Sequence, residues 1–207
     1  MTINSVTKLD KRKNLYIAEF DDGLKLRLTM EQIILFKIHA GQEFSDEEFN
    51  SLRDEIESNT TKAQAIRALG NGNLSAGEMK RRLVKKGASP DVSQRTVDWL
   101  ENIGLINDAE YAAMITKHYS DKGYGTARIR DEFYKRGIPR DMWDEALATV
   151  SENGVETAMT YLEKKLRGSV DKDELNRAGA ALCRRGFSYQ QAKDAIKIYE
   201  ENVAEKE

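Results

Sequence analysis

The hydrophobic and polar positions of the chain follow two different periods. The sequence LKLRL at residues 24–28 alternates strictly, which is typical of a strand with one buried face. The turn residues DDG at 21–23 join it to the run LYIAEF, so a β-hairpin is expected within residues 5–28. From about residue 29 onward, apolar residues recur every three or four positions, as on the buried face of a helix. The pattern therefore predicts a small N-terminal β element followed by helices.

Three segments of the helical part end in the same way. LVKKG (83–87), FYKRG (133–137) and LCRRG (182–186) each hold a bulky apolar residue, one spacer, two basic residues and a glycine, at intervals of 50 and 49 residues. Other apolar residues recur at fixed distances from each glycine, so each glycine is expected between two amphipathic helices. These periodic positions are Met79, Leu83, Val97, Leu100, Ile129, Phe133, Leu147, Val150, Ala178, Leu182, Ile196 and Tyr199.

Stacking is the expected consequence of this repeat, because a unit of about 50 residues buries little apolar surface alone. We expect a mainly α protein, an elongated array of three tandem three-helix repeats with a small N-terminal β-hairpin/helix cap. The predicted limits are 1–60 for the N-terminal strand/helix cap, 61–103 for repeat 1, 104–153 for repeat 2, and 154–207 for repeat 3 and an acidic tail. The first boundary is assigned to the polar stretch 57–62.

Capping residues mark the predicted helix ends. The capping-box signature, Ser or Thr followed three positions later by Glu or Gln, occurs at Thr29, Ser45, Ser75 and Ser188. Ser89-Pro90 fits an N-cap followed by proline at the first helical position. The helix after Thr29 is expected to end at Gly41. Gly137 is expected in the left-handed conformation, with basic residues before it that complement the helix dipole.

Composition limits the class of protein. Of the 207 residues, 40% are hydrophobic and 33% are charged, which is typical of a soluble folded protein. No apolar run reaches the roughly 20 residues of a membrane helix, and MTINSVTKLDKRK lacks the apolar core of a signal peptide. The single cysteine, Cys183, rules out an intrachain disulfide and fits a reducing compartment. A cytoplasmic location is therefore expected.

Residues suited to catalysis or metal binding are few. His39 and His118 have no histidine or cysteine at ligand spacing and are interpreted as helical residues, and Cys183 is interpreted as a core or boundary residue. GYGTAR (123–128) lacks the third glycine of a dinucleotide motif, so it is interpreted as a turn after which Thr126 caps a helix. We predict no catalytic residue, metal site or cofactor, and no enzymatic activity.

Basic residues define the candidate binding surface. The net charge is −2, yet residues 61–190 hold 22 basic and 18 acidic side chains, whereas residues 1–60 hold 8 and 12. Stacked repeats would align their basic residues into a stripe facing phosphates or an acidic protein surface; the alternative is solvated helix faces without a binding role. Lys135 and Arg136 are both expected to be exposed. The candidate residues are Arg81, Arg82, Lys85, Lys86, Tyr124, Arg128, Arg130, Lys135, Arg136, Arg140, Arg177, Arg184 and Arg185.

Two stretches resemble a known family. GLINDAEYA (104–112), followed by KGYGTARIRDEFYKRGIP (122–139), is similar to the RecX family of recombinase regulators. LSAGEMKRRLVKKG (74–87) resembles the preceding unit of that family and CRRGFSYQQAKDAI (183–196) resembles its last unit. Asn107 stands where the family more often has aspartate, and the two are nearly equivalent as N-caps.

The resemblance implies a fold and a function. The fold would be three tandem three-helix repeats. The function would be non-enzymatic: binding along the groove of the RecA–DNA filament and modulating, usually inhibiting, its ATPase and strand exchange in DNA repair, recombination and the SOS response. Single- or double-stranded DNA is an additional partner of some relatives, and a monomer is expected. A direct DNA-binding protein is the alternative, because small three-helix units can place a helix in a groove.

Overall fold

The computed structural model describes residues 1–10 and 14–205, with only the backbone of Asp10. Parts of two predictions, the strand region at 11–13 and the acidic tail at 206–207, lie outside the described residues. The strands are β1 (Ile3–Asp10), β2 (Leu15–Phe20) and β3 (Lys25–Thr29). The helices are α1 (Met30–Leu35), α2 (Asp46–Leu69), α3 (Ala76–Lys85), α4 (Pro90–Asn102), α5 (Asp108–Asp121), α6 (Thr126–Arg136), α7 (Trp143–Glu152), α8 (Gly154–Leu166), α9 (Lys172–Arg184) and α10 (Tyr189–Ala204). The predicted mainly α class with a small N-terminal β element is confirmed.

The described chain forms two compact units. The first unit contains residues 1–70 and 83–96, and the second contains residues 71–82 and 97–207. Helices α3 and α4 therefore contribute residues to both units.

A three-stranded antiparallel sheet forms the start of the first unit. The predicted hairpin of β2 and β3 is present, with Ala18 opposite Leu26, and β1 pairs with the other edge of β2. Phe20 and Leu28 are fully buried beside Leu52 of α2, and the Phe20 ring meets the Phe49 ring edge-on at 5.3 Å. The alternation in LKLRL thus positions one face of β3 in this core.

Two helix predictions in the first unit are wrong. Helix α1 ends at Leu35 rather than Gly41, because the chain turns at Lys37 (φ 52°) and buries Ile38 instead of continuing the helix. His39 consequently lies outside the helix, with its Nδ1 2.8 Å from the Lys37 carbonyl oxygen.

Helix α2 runs from Asp46 to Leu69 without a break at the polar stretch 57–62. Residues 46–69 contain neither glycine nor proline, so nothing in the stretch ends the helix. The predicted limit at residue 60 falls inside this helix, and the four domain limits remain a prediction.

The second unit contains two clusters of buried apolar side chains. One is formed by α5, α6, α7 and the loop after α6, and includes Ile129, Phe133 and Leu147. The other is formed by α8, α9 and α10, and includes Leu182 and Tyr199. Eleven of the twelve predicted periodic positions are buried, and the twelfth, Ile196, is half-buried.

Helix ends follow the predicted capping chemistry. All four capping boxes are formed, the Ser89 hydroxyl accepts the Val92 N–H, and the Asn107 side chain caps α5. The glycines of the three repeated segments are left-handed, with φ values of 97°, 72° and 93° at Gly87, Gly137 and Gly186.

Candidate functional site

Two equivalent junctions join helices in the second unit. Helix α6 begins against the end of α9: the N–H of Gly125 donates to the Arg185 carbonyl at 3.0 Å, and the N–H of Ala127 donates to the Gly186 carbonyl at 3.1 Å. Helix α3 likewise begins against the end of α6, where the Ser75 hydroxyl donates to the Arg136 carbonyl. At the α6–α9 junction, amides at one helix start thus meet carbonyls at another helix end, whereas at the α3–α6 junction a side-chain hydroxyl makes the bond.

Glycine is required where the backbones meet. A Cβ on Gly125 would lie 2.4 Å from the Gly186 carbonyl oxygen, and a Cβ on Gly77 would lie 2.7 Å from the Gly137 carbonyl oxygen. The prediction that Thr126 caps α6 is wrong, because the N-cap is Gly125 and makes no side-chain bond. The carbonyl of Gly186 provides an acceptor that a capping side chain would otherwise provide.

The α3–α6 junction buries part of a predicted binding residue. The Arg136 guanidinium donates to the Tyr111 hydroxyl at 2.5 Å and lies 3.9 Å from Glu132 and 4.0 Å from Glu78. Its side chain is only 33% exposed, so the expectation that both residues of the pair 135–136 are exposed is wrong for Arg136. Lys135 is exposed and forms an ion pair with Glu132 at 3.1 Å.

Glu132 is the carboxylate that lies near three of the basic side chains, those of Arg128, Lys135 and Arg136. It is 7% exposed and accepts from Lys135, while the Arg128 guanidinium lies 3.3 Å away. Burial alone would raise the pKa of Glu132, but hydrogen bonds from Lys135 and Tyr119 and the charges of Lys135 and Arg128 outweigh it, so the pKa lies below its usual value. Arg128 is therefore engaged within the fold, as Arg136 is.

Asp108 is a second buried carboxylate at the same junction. Its Oδ1 accepts the Ala76 N–H at 2.9 Å, and its Oδ2 is buried without a hydrogen-bond partner among the described residues. Burial raises the pKa of Asp108; the Ala76 hydrogen bond opposes this, and the charge of Glu78 adds to it. The pKa values of the two carboxyl groups are thus shifted in opposite directions: that of Glu132 is lowered and that of Asp108 is raised.

The α6–α9 junction is held by aromatic rings instead. The Arg185 guanidinium lies 4.8 Å from the Tyr124 ring centroid and 4.7 Å from the Tyr161 ring centroid. The same guanidinium donates to the carbonyls of Lys122 and Gly123 at 3.2 and 3.3 Å. Arg185 and Tyr124, both predicted as binding residues, are therefore occupied by contacts within the protein.

A groove beside the end of α6 gathers the more accessible cations. It has a volume of about 600 Å³ and includes Arg81, Tyr134, Lys135, Arg140 and Trp143; we call it the α6–α7 groove. Arg81 donates to the Lys135 carbonyl at 3.0 Å, and the Arg140 guanidinium lies 5.7 Å from the Trp143 ring centroid. No carboxylate lines the groove among the described residues.

Sequence reasoning missed the two aromatic residues of this groove. Tyr134 is 71% exposed although it lies inside a helix, and the Trp143 ring is fixed by its N–H bond to the Ile138 carbonyl at 3.0 Å. The interleaving of basic and aromatic residues in FYKRGIPRDMW is the signal that could have identified them.

The remaining candidates are not brought into this groove. Arg130 pairs with Asp144 at 3.9 Å. Lys85 and Lys86 belong to the first compact unit, whereas the other candidates belong to the second. The exposed residues of the set outside the groove are Arg82, Lys85, Lys86, Arg130, Arg177 and Arg184.

The structure also bears on the cysteine, on the histidines and on the metal and membrane sites considered from the sequence. Cys183 is exposed on α9, so its interpretation as a core or boundary residue is wrong, whereas His118 lies within α5 as expected. Among the described residues, no three His, Cys, Asp or Glu side chains are grouped so as to hold a metal ion. None of the helices in the described ranges combines the length and apolar character needed to cross a membrane.

Comparison with known proteins identifies the family. Residues 107–147 match the model of the second three-helix domain of RecX. The Regulatory protein RecX of Pseudomonas putida is 34% identical over 112 residues, which cover 53% of this chain and 72% of that protein. The chain belongs to the RecX family. The Regulatory protein RecX of Streptococcus gordonii is 27% identical over 196 residues, 92% of this chain and 75% of that protein.

Solved structures support the fold of this RecX family member. A crystal structure of regulatory protein RecX superposes with a TM-score of 0.70 at 18% identity, covering 97% of this chain and 98% of that one. RecX from Lactobacillus salivarius gives a TM-score of 0.64 at 21% identity, covering 70% of this chain and 97% of that one. At these identities the likeness concerns the fold alone.

Proposed function

We propose that this RecX family member is a non-enzymatic, cytoplasmic regulator of recombination and DNA repair that binds the RecA–DNA filament. Binding modulates, and usually inhibits, the ATPase and strand exchange of the filament. Membership in a family of regulatory proteins supports the regulatory role. The observation that carries the binding mode is the α6–α7 groove, whose lining combines cations and aromatic rings without a carboxylate.

The cations of the chain divide into two groups with different roles in this proposal. Arg136 and Arg185 stabilise the junctions, because their guanidinium groups are held by tyrosines and backbone or carboxylate oxygens. Arg140 and Arg81, which also donates to the Lys135 carbonyl, are exposed and meet the filament, where phosphates or acidic side chains gain from opposite charge. Lys135 lines the groove and also forms an ion pair with Glu132.

Charge reversal at the groove tests the proposal. Arg81→Glu with Arg140→Glu is expected to raise at least tenfold the concentration needed to inhibit RecA-driven strand exchange, since two attractions become repulsions. The control is Lys193→Glu with Lys197→Glu on α10, which makes the same change in net charge outside the groove. Circular dichroism and thermal melting establish that both variants are folded. Parental inhibition by the groove variant would contradict the proposed binding surface.

Direct binding to DNA without RecA is the second candidate function. The cationic and aromatic lining of the same groove favours it, since such surfaces also suit nucleic acid. Competition between naked DNA and the RecA–DNA filament, at two salt concentrations, separates the two functions. Preference for the filament at both concentrations is the result that the first proposal predicts.

A further inference from the structure

A depression at the start of α5 exposes two large apolar side chains. It has a volume of about 210 Å³, and its lining includes Leu105, Glu110, Tyr111 and Met114; we call it the α5 depression. Leu105 is 51% exposed and Met114 is 55% exposed, whereas the neighbouring Ile106 is buried. Large apolar side chains left in water on one concave surface are typical of a site that another protein covers.

Leu105 and Met114 differ from the other exposed apolar residues because they share one depression. Val170, which precedes α9, and Tyr189, which begins α10, are 51% and 76% exposed, but neither lines the α5 depression. The Met114 side chain is also held in place, because the Asn73 side-chain amide donates to its sulfur at 3.3 Å. A surface that is already ordered loses less conformational entropy on binding.

The charge of the α5 depression is opposite to that of the α6–α7 groove. Glu110 is exposed in its lining, which contains no Lys or Arg among the described residues. Further carboxylates lie nearby: burial raises the pKa of Glu101, and the charges of Asp108 and Asp98 raise it further. These carboxylates are close enough to repel one another, so a cation from a partner is favoured beside them.

Size and charge together restrict the ligand. The volume of 210 Å³ lies below the roughly 300–1,000 Å³ of small-molecule sites, so the α5 depression suits a protein side chain rather than a cofactor. Nucleic acid would place its phosphates beside Glu110 without a cation in the lining to attract them. Methionine adapts its shape to different partners, so Met114 suits a protein-binding surface.

We infer that the α5 depression docks a protein segment that presents an apolar side chain beside a Lys or Arg. The apolar side chain lies between Leu105 and Met114, and the cation lies against Glu110. This inference rests on the proposed function and goes beyond it by assigning a second contact, made to the protein of the filament rather than to its DNA. The cationic groove and the α5 depression thus meet chemically different parts of the partner.

Replacement of the two exposed apolar side chains tests the inference. Biolayer interferometry measures binding of the full chain to the RecA–DNA filament and to the same oligonucleotide without RecA. Leu105→Ser with Met114→Ser is expected to weaken filament binding about tenfold, since two side chains lose their burial, and to leave oligonucleotide binding unchanged. The control is Val170→Ser with Tyr189→Ser, which removes two comparably exposed side chains outside the depression. Circular dichroism and thermal melting establish that both variants are folded.

Charge reversal of Glu110 is an independent test that leaves the apolar side chains in place. Glu110→Lys is expected to weaken filament binding about fivefold, and by less as salt rises, because an attraction becomes a repulsion that salt screens. Glu174→Lys on α9 is the matched control and is expected to bind like the parent. Both glutamates are exposed three residues after their helix caps, Asn107 and Asp171.

Three results would show the inference to be wrong. Parental affinity of the serine variant for the filament overturns it, and parental affinity of Glu110→Lys overturns its cationic part. An equal loss of filament and oligonucleotide binding by the serine variant would mean that the depression contacts DNA. Sedimentation velocity tests a further occupant: a parent that self-associates and a serine variant that does not would assign the depression to contacts between copies of the chain.

Failure of this inference differs from failure of the proposed function. If the α5 variants bind the filament like the parent while Arg81→Glu with Arg140→Glu does not, the proposed function stands and the α5 depression has no part in it. A parent that does not bind the filament removes the proposed function and the inference together.

Discussion

The two helix junctions of the second unit use one backbone arrangement and two different sets of side chains. In both, a helix start without a bulky residue meets the left-handed glycine at the end of another helix. At the α3–α6 junction the second basic residue, Arg136, is held by a tyrosine hydroxyl and two carboxylates. At the α6–α9 junction its counterpart, Arg185, is held by two rings and two backbone carbonyls.

The difference shows which part of the repeated motif the fold requires. The close approach of a helix start to a left-handed glycine is common to both junctions, so this approach determines that the helices meet. The partner of the arginine differs, and with it the dependence on pH: carboxylates titrate in the acidic range, whereas rings and carbonyls do not. The carboxylate contacts of Arg136 at the α3–α6 junction should therefore weaken in acid, whereas the ring and carbonyl contacts of Arg185 should not.

The largest effect is expected from Gly125→Ala. Its Cβ would lie 2.4 to 2.6 Å from backbone atoms of Gly186 and Phe187, which cannot move as a side-chain end can. A loss of about 3 kcal/mol in the free energy of unfolding is expected from such overpacking. Gly70→Ala is the control, because its Cβ would have ordinary contacts at 3.5 Å. Chemical denaturation measures both, and equal stability of the two variants would show that the α6–α9 approach is not tight.

A smaller loss is expected from Gly77→Ala at the other junction. The Cβ would meet the Gly137 carbonyl oxygen at 2.7 Å, but Gly77 lies within α3, where alanine also gains about 0.5–1 kcal/mol over glycine. The same denaturation experiment should rank Gly77→Ala between Gly125→Ala and Gly70→Ala. The opposite order would mean that the α3–α6 junction is the more rigid of the two.

Glu132→Gln tests how much the carboxylate contacts of the α3–α6 junction contribute to stability. At neutral pH it should cost about 1–3 kcal/mol in the free energy of unfolding, because Lys135, Arg128 and Arg136 lose their shared carboxylate. The folded pKa of Glu132 is lowered from 4.5, so its ionised form stabilises the fold above the unfolded pKa, and this contribution is lost as pH falls through the folded pKa. The gap between parent and variant should therefore shrink in acid.

Arg185→Lys tests the aromatic junction. Lysine keeps the charge but loses the flat guanidinium that lies against Tyr124 and Tyr161, which should cost about 1 kcal/mol. Among the described residues Arg185 forms no ion pair with a carboxylate, so the cost should be the same at pH 7 and in mild acid. Thermal melting across this range measures it, and a cost that fades in acid like that of Glu132→Gln would remove the distinction between the junctions.

The smallest effect is expected from Asp108→Asn. The folded pKa of Asp108 is raised from 3.8, so its ionisation weakens the fold above the folded pKa, and this penalty is absent below the unfolded value. Relative to the parent, the variant should gain stability as pH rises, by an amount on the order of 0.5 kcal/mol. Denaturation at acidic and neutral pH gives the sign of the change in relative stability. A variant that becomes less stable relative to the parent as pH rises would contradict the raised pKa of Asp108.

Local chemistry made most of the fold predictable. Leu83, Phe133 and Leu182 are fully buried because their spacing from the glycines defines one helical face, and no tertiary information is needed for that. Polarity alone does not end a helix, so α2 continues through the polar stretch 57–62, which contains neither glycine nor proline.

The candidate site depended on contacts that a sequence does not contain. Lys135 and Arg136 are adjacent and chemically alike, yet one is exposed and the other is held against Tyr111, 25 residues earlier in the chain. Phe133 and Tyr134 are likewise adjacent, yet Phe133 is fully buried and Tyr134 is 71% exposed. Which face of a helix end stays in water depends on which helix docks there.

A glycine lies at the start of each helix that forms such a junction, at Gly77 for α3 and at Gly125 for α6. Helix α9 begins at Asp171-Lys172-Asp173, where no glycine occupies the positions that Gly77 and Gly125 occupy in α3 and α6. Side chains at these positions would collide with an incoming backbone, and nothing in the sequence allows that approach. The close backbone approach made at the starts of α3 and α6 is therefore not available at the start of α9.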